Sequence, residues 1–185
     1  MPLETEKIPC NFAGSFKVGD NLVFNSHVLC SLVKANEAGI LNKMVVIQVA
    51  SILEVALGQI IYRAQNYTLE GVPNISEADR AEIEGKKIDK LSPIIDVMKK
   101  YGALDALGRN VYEELHKLRK YRNKIHIQDK IAIAKVSPDE EIAFSDDICS
   151  WALEPNVRML EHLNDHFPRP EHVRDFVNLL SVPKS

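Results

Sequence analysis

The sequence predicts an all-α fold, a bundle of about five or six helices with one small β-hairpin after the second long helix. Three observations predict it. Leu, Ile, Ala, Glu and Lys are abundant while glycine is scarce, eight in 185 residues, and that composition favours helix. Two long segments, Met44 to Tyr62 and Asn110 to His126, carry apolar residues at helical spacing. Start and stop signals divide the chain into pieces of helical length. The length suits one domain with a sizeable core, divided as an irregular N-terminal arm over residues 1–20 and a single helical domain over residues 21–185.

In order along the chain, residues before about 20 show no helical period, and Gly19-Asp20 reads as a hairpin turn. A first helix is expected from about Asn25 to Glu37 on Val28, Leu32 and Val33, closing near Gly39. The central helix follows, capped by Asn42. Its apolar run is long enough to resemble a membrane span, but Gln48, Ser51, Glu54 and Gln59 interrupt it. A charge near the middle of a span is costly, so the segment reads as the buried helix of a globular bundle, with no membrane partner. Ser51, Glu54 and Gly58 stand at i, i+3 and i+7 and form a thin polar stripe, with Gly58 open to a close backbone approach. Gly71-Val72-Pro73-Asn74 marks a loop. Ser76 and Asp79 make a capping box for a short polar helix. Ser92-Pro93 reads as an N-cap followed by proline at the first helical position, opening a helix through Lys100 that stops at Gly102.

The second long helix starts near Asn110. Val111, Leu115, Leu118, Arg122 and Ile125 follow a 4-3-4-3 spacing, which puts Arg122 at a core position. An unpaired buried charge is costly, and Glu54 is the expected partner. Beyond it, Ile131 to Val136 and Ile142-Ala143-Phe144 read as two short strands around the turn Ser137-Pro138-Asp139. Ser145, with Asp146 and Asp147, caps a helix toward Phe167 that Pro155 should kink or split. A last short helix is expected from Pro170 through Val173 to Leu180.

A net charge of −3 argues against a protein that coats nucleic acid through a broad basic surface, and leaves room for a local basic cleft. Cys10, Cys30 and Cys149 are odd in number and scattered, as befits reduced thiols in a cytoplasmic protein. Neither a CxxC pair nor a His/Cys cluster of metal-ligand spacing occurs, so no metal or other cofactor is expected. Met1 to Lys7 carries acids and no apolar stretch, unlike a secretory signal.

The chemistry concentrates in Leu118-Arg119-Lys120-Tyr121-Arg122-Asn123-Lys124-Ile125-His126. At 3.6 residues per turn, Arg119, Arg122 and His126 project from one stripe with Asn123 at its margin. An imidazole beside two cations suits a phosphate. Arg119 and His126 also fit a solvated flank, and Arg122 a structural ion pair. His27, His116, His162, His166 and His172 read as surface residues. The pairs Lys86-Lys87 and Lys99-Lys100 read as solvated faces or as an extension of an RNA path.

A long apolar helix bearing an internal acid, then a helix ending Leu118-Arg119 to Arg122-Asn123 and Ile125-His126, resembles the HEPN family over roughly residues 25 to 165. The resemblance implies an all-α bundle, often dimeric, of prokaryotic defence and toxin systems, in which many members are metal-independent endoribonucleases and others are binding modules. It implies His126 as general base, an arginine on the phosphate, Asn123 orienting substrate, and Glu54 as a supporting acid behind them. Six residues separate Arg119 from His126, inside the family's spacing, whereas the three between Arg122 and His126 fall one short of it. Arg119 fits the family's arginine by spacing and Arg122 by the asparagine that follows. The functions expected are therefore a toxin or antiphage endoribonuclease, with a homodimeric state, an RNA substrate and an antitoxin protein as partners, or a non-catalytic module binding nucleotide, RNA or protein.

Overall fold

The computed structural model describes residues 4–67, 69–125, 136–174 and 177–184. Its helices are α1 (Lys17–Ala35), α2 (Asn42–Asn66), α3 (Glu77–Ile83), α4 (Leu91–Lys100), α5 (Val111–Asn123), the single turn α6 (Glu140–Ala143) and α7 (Asp146–His166). A two-stranded antiparallel sheet, β1 (Thr5–Pro9) with β2 (Leu179–Pro183), completes it. The mostly helical bundle matches the composition and the two long amphipathic patterns.

α2 is the axis of the bundle. Its apolar residues exceed what one face can hold, and α1, α4, α5 and α7 all pack against it. Val45, Val49, Leu53, Ala56, Leu57 and Ile60 are shielded from water. By length and composition α2 could cross a membrane; here neighbouring helices enclose most of it. Gly58 does not admit a close backbone, because a Cβ built there would meet only the Ile94 Cδ1 at an ordinary 3.5 Å.

Several local expectations differ from the structure. The N-terminal arm is not irregular: residues 5–9 form β1, and α1 begins at Lys17 with Gly19-Asp20 inside it. The buried residues of α1 are Gly19, Leu22, Ser26 and Leu29. The expected last helix is a 3-10 turn over Glu171–Val173 followed by β2. Of the expected late hairpin, residues 131–135 lie outside the described residues. Its second strand is instead the α6 turn, where the Asp139 Oδ1 accepts from the Glu141 N at 2.9 Å. α7 runs unbroken through the buried Pro155, and Ile125 is exposed beyond the end of α5, Tyr121 taking the buried position. The Ser76–Asp79 capping box is present in both directions.

β2 lies on α1, whose side chains meet its backbone. The Ser181 N donates to the Ser26 Oγ at 3.2 Å, and the Cys30 Sγ donates to the Ser181 O at 3.2 Å. Gly14, at φ +63°, allows the turn before α1 to touch the 3-10 segment, where a Cβ would stand 2.7 Å from the Val173 O. The three cysteines are free thiols; burial pushes Cys10 up to about 12 and Cys149 to about 11.

Arg63, near the end of α2, is 1 % exposed. Its Nη1 donates to the Phe167 O at 2.6 Å and its Nη2 to the Pro168 O at 3.3 Å, which binds the chain leaving α7. Its Nε stands 3.3 Å from the Glu70 Oε2, and the Arg169 Nη1 donates to the Glu70 Oε1 at 2.7 Å. Arg169 stacks on Phe16 at 4.1 Å. Burial lowers the Arg63 pKa to about 10, with Glu70 opposing and Arg169 adding to the shift. One carboxylate thus holds two buried guanidinium groups. His162 is buried as well, contrary to its reading as a surface residue, and its Nε2 donates to the Ala103 O at 2.9 Å.

Two predictions arise here. Glu70→Gln leaves two buried cations without a counter-charge and should lower the unfolding free energy by about 3 kcal/mol or more, read by urea denaturation. Burial, and next the nearby His166, lower the His162 pKa below 6.5 against the pull of the Ala103 carbonyl and Asp165. The unfolded chain therefore binds the proton more readily. The stability carried by the neutral ring is full above pH 6.5 and is lost as pH falls through the folded pKa. The urea midpoint should drop over that window, and His162→Gln should flatten the drop; an unchanged slope would refute the assignment.

Candidate functional site at the α4–α5 face

A helix start leaves backbone N–H groups without intrahelical acceptors and a partial positive charge. α4 begins at Leu91, one residue before the expected cap, and Lys90 at its N-cap offers no side-chain acceptor. Ser92 and Pro93 fall inside the first turn, where proline's missing N–H costs nothing. Glu54 of α2 supplies the acceptor: its Oε1 receives the Leu91 N at 2.9 Å. Its Oε2 receives the Arg122 Nη2 at 2.6 Å. Arg122 therefore has the partner its core spacing required, and one carboxylate joins α2, α4 and α5. The Glu54 side chain is 15 % exposed and that of Arg122 40 %, so the bridge sits at the rim of the core.

Arg119 lies one turn earlier than Arg122–Asn123 and is half-buried. Among the described residues it forms no ion pair, and its Nε is buried without an acceptor. One turn before it stands His116, whose Nε2 is 3.7 Å from the Asp96 Oδ1 of α4. His116 is half-buried rather than a free surface ring. Burial, then Arg119, lower its pKa; Asp96 opposes, and Lys99 and Lys120 lower it further. His116 and Lys120 also line a cleft of about 580 Å³ with Asn110, Glu113, Glu114, Lys117 and Val136.

Asn123 ends α5 and is exposed. His126 lies outside the described residues. The chain on either side of residues 126–135 is tied together, because the buried Lys124 donates through its Nζ to the Pro138 O at 2.9 Å. Arg119, Arg122, Asn123 and Glu54 therefore gather around one end of α5, with Arg122 committed to Glu54 and Arg119 unpaired. His116, Asp96 and Lys120 were not among the expected site residues, and Lys99 was expected only as part of a solvated face or an extension of an RNA path. His116, Arg119 and Asn123 share the i, i+3, i+7 spacing that selected Arg119, Arg122 and His126. The contribution of α4 is legible only once the helices are packed.

Among the described residues no group of three or more His, Cys, Asp or Glu is placed to hold a metal ion. Compared with family models, with curated proteins and with solved structures, the chain gives no match.

Glu54→Ala should cost about 2 kcal/mol, since it removes both a helix cap and a charged hydrogen bond. Arg122→Ala, whose partner keeps its bond to Leu91, should cost about 1 kcal/mol or less. Denaturant titration of both variants and the double variant checks this. Equal losses for the two single variants would contradict the bridging role of Glu54.

Proposed function

We propose that the chain is a metal-independent endoribonuclease of toxin or antiphage type in which Arg119, rather than Arg122, meets the substrate phosphate. The observation that carries this reading is the division of labour on α5: Arg122 is held by Glu54, while Arg119 has no counter-charge among the described residues. Arg119 is also the arginine whose six-residue spacing to His126 fits the HEPN resemblance.

In this scheme His126 takes the proton of a ribose 2′-hydroxyl. The 2′-oxygen attacks the adjacent phosphorus, the bond to the 5′-oxygen breaks, and that oxygen leaves with a proton returned by the imidazolium. The products are a 2′,3′-cyclic phosphate and a 5′-hydroxyl. Arg119 stabilises the charge on the phosphoryl oxygens, and Asn123 orients the ribose. The need for a 2′-hydroxyl excludes DNA as substrate.

A cytoplasmic homodimer, restrained by an antitoxin protein, completes the proposal: two copies of the Arg119 face would make a basic groove on an acidic chain. Gly58 gives this no support, since it faces Ile94 of its own chain. Exposed Met44, Val55 and Tyr62 do support it, because their spacing of eleven and seven residues puts them on one side of α2.

Purified protein should cut single-stranded RNA in EDTA and leave 2′,3′-cyclic ends. His126→Ala should abolish cutting, and Arg119→Ala should slow it by roughly 100-fold or more, both with an unchanged thermal midpoint. Full activity in Arg119→Ala would sink the assignment. RNA binding without cleavage would favour a second reading, a non-catalytic module, for which the closed Arg122–Glu54 bridge speaks. Light scattering at micromolar concentration that gives a single 20.8 kDa chain would remove the dimer.

A further inference from the structure

We infer that Lys99 and Lys120 form, beside Arg119, a track for the phosphodiester backbone of single-stranded RNA, leading away from the reacting phosphate. The inference rests on the ribonuclease reading for the identity of the polyanion; the track itself rests on geometry and charge.

Some cations on the described surface are neutralised locally. Lys43 pairs with Glu140, Arg80 with Glu84, Lys100 with Glu82, and Arg158 with Glu114. The α4–α5 face differs. His116 of α5 stands 3.7 Å from Asp96 of α4. Lys99 lies one turn beyond Asp96, and Arg119 and Lys120 lie one turn beyond His116. No ion pair engages these three cations among the described residues, while Glu113 and Glu114 line the cleft on the far side of His116. Two helices contribute, so the charge is spread across a face rather than along one ridge. Lys117 does not belong to the track, because its ammonium lies 3.8 Å over the Trp151 ring.

The distances suit a strand rather than a lone ion. At 1.5 Å rise per residue, His116 and Lys120 lie about 6 Å apart along the axis of α5, and Lys99 stands on the neighbouring helix α4, so the cations are spread along a path rather than closed around one phosphate. Lys99 is exposed and Lys120 half-buried, and His116 with Lys120 borders the cleft beside α5. A backbone laid there would keep its bases free and would be read by charge alone.

The test uses labelled single-stranded RNA and the 2′-deoxy oligonucleotide of the same sequence, with the full chain carrying His126→Ala so that nothing is cut. Both oligonucleotides should bind with affinities within a few-fold of each other, since phosphates are the contact. The double variant Lys99→Ala/Lys120→Ala should bind about tenfold more weakly. Its slope of log affinity against log salt should shrink by about 1.4, at roughly 0.7 per phosphate contact on a single strand. Its thermal midpoint should not move. Unchanged affinity and slope would overturn the track and leave a solvated or protein-contacting face; so would the absence of oligonucleotide binding by the parent. The two readings fail separately. Loss of binding in the double variant with no cleavage by the unmutated chain keeps the track and removes the ribonuclease. Cleavage in EDTA that Lys99→Ala/Lys120→Ala leaves untouched does the reverse.

Discussion

A helix as enclosed as α2 can carry a charge only where another element arrives to neutralise it, and α2 carries two such charges, one at its middle and one near its end. Glu54 receives the first turn of α4 and the guanidinium of α5. Arg63 receives the carbonyls that follow α7 and the carboxylate of Glu70. Apolar packing against α2 tolerates small rotations and slides, whereas these polar bonds accept one arrangement. The charges thus set how α4 and α5 lie on the axis and where the chain leaves α7. The cationic face follows from the first of them, since Asp96 and the neighbouring Lys99 come beside His116 only because α4 is pinned beside α5.

The bundle was legible because helical periodicity is a local property. The runs in α2 and α5, the Ser76–Asp79 box and the stop at Gly102 each need only a few neighbouring residues. β1 and β2 were not legible, since each is five residues long and its partner lies at the other end of the chain. Val173, Val177 and Leu180 even mimic one face of a helix. Phe144 and its neighbours look like a strand by composition, but an Asp139 cap turns them into α6.

The site was half legible. A cation at a core position demands an acid, and the apolar helix offered Glu54 as the interior candidate, so their pairing could be read from the sequence. That Glu54 also caps α4 could not, because the vacancy it fills arises from Lys90 on another helix. The same holds for histidine. Nothing near His162 or His116 in the sequence distinguishes a ring bonded to the Ala103 carbonyl from one beside Asp96 or one in water.

The clasp of β1 on β2 bears on the order in which the molecule can be made. Ile8 pairs with Leu180, and closing so long a loop costs chain entropy before any contact offsets it. During synthesis β1 emerges before α1 to α7 and waits for all of them before its partner exists. Throughout that interval Ile8, Phe12 and the apolar side of α1, buried in the finished protein, have only part of their cover. The nascent chain therefore keeps this apolar surface open until β2 is made, which makes it a place where a chaperone or a misassembled neighbour would compete with β2.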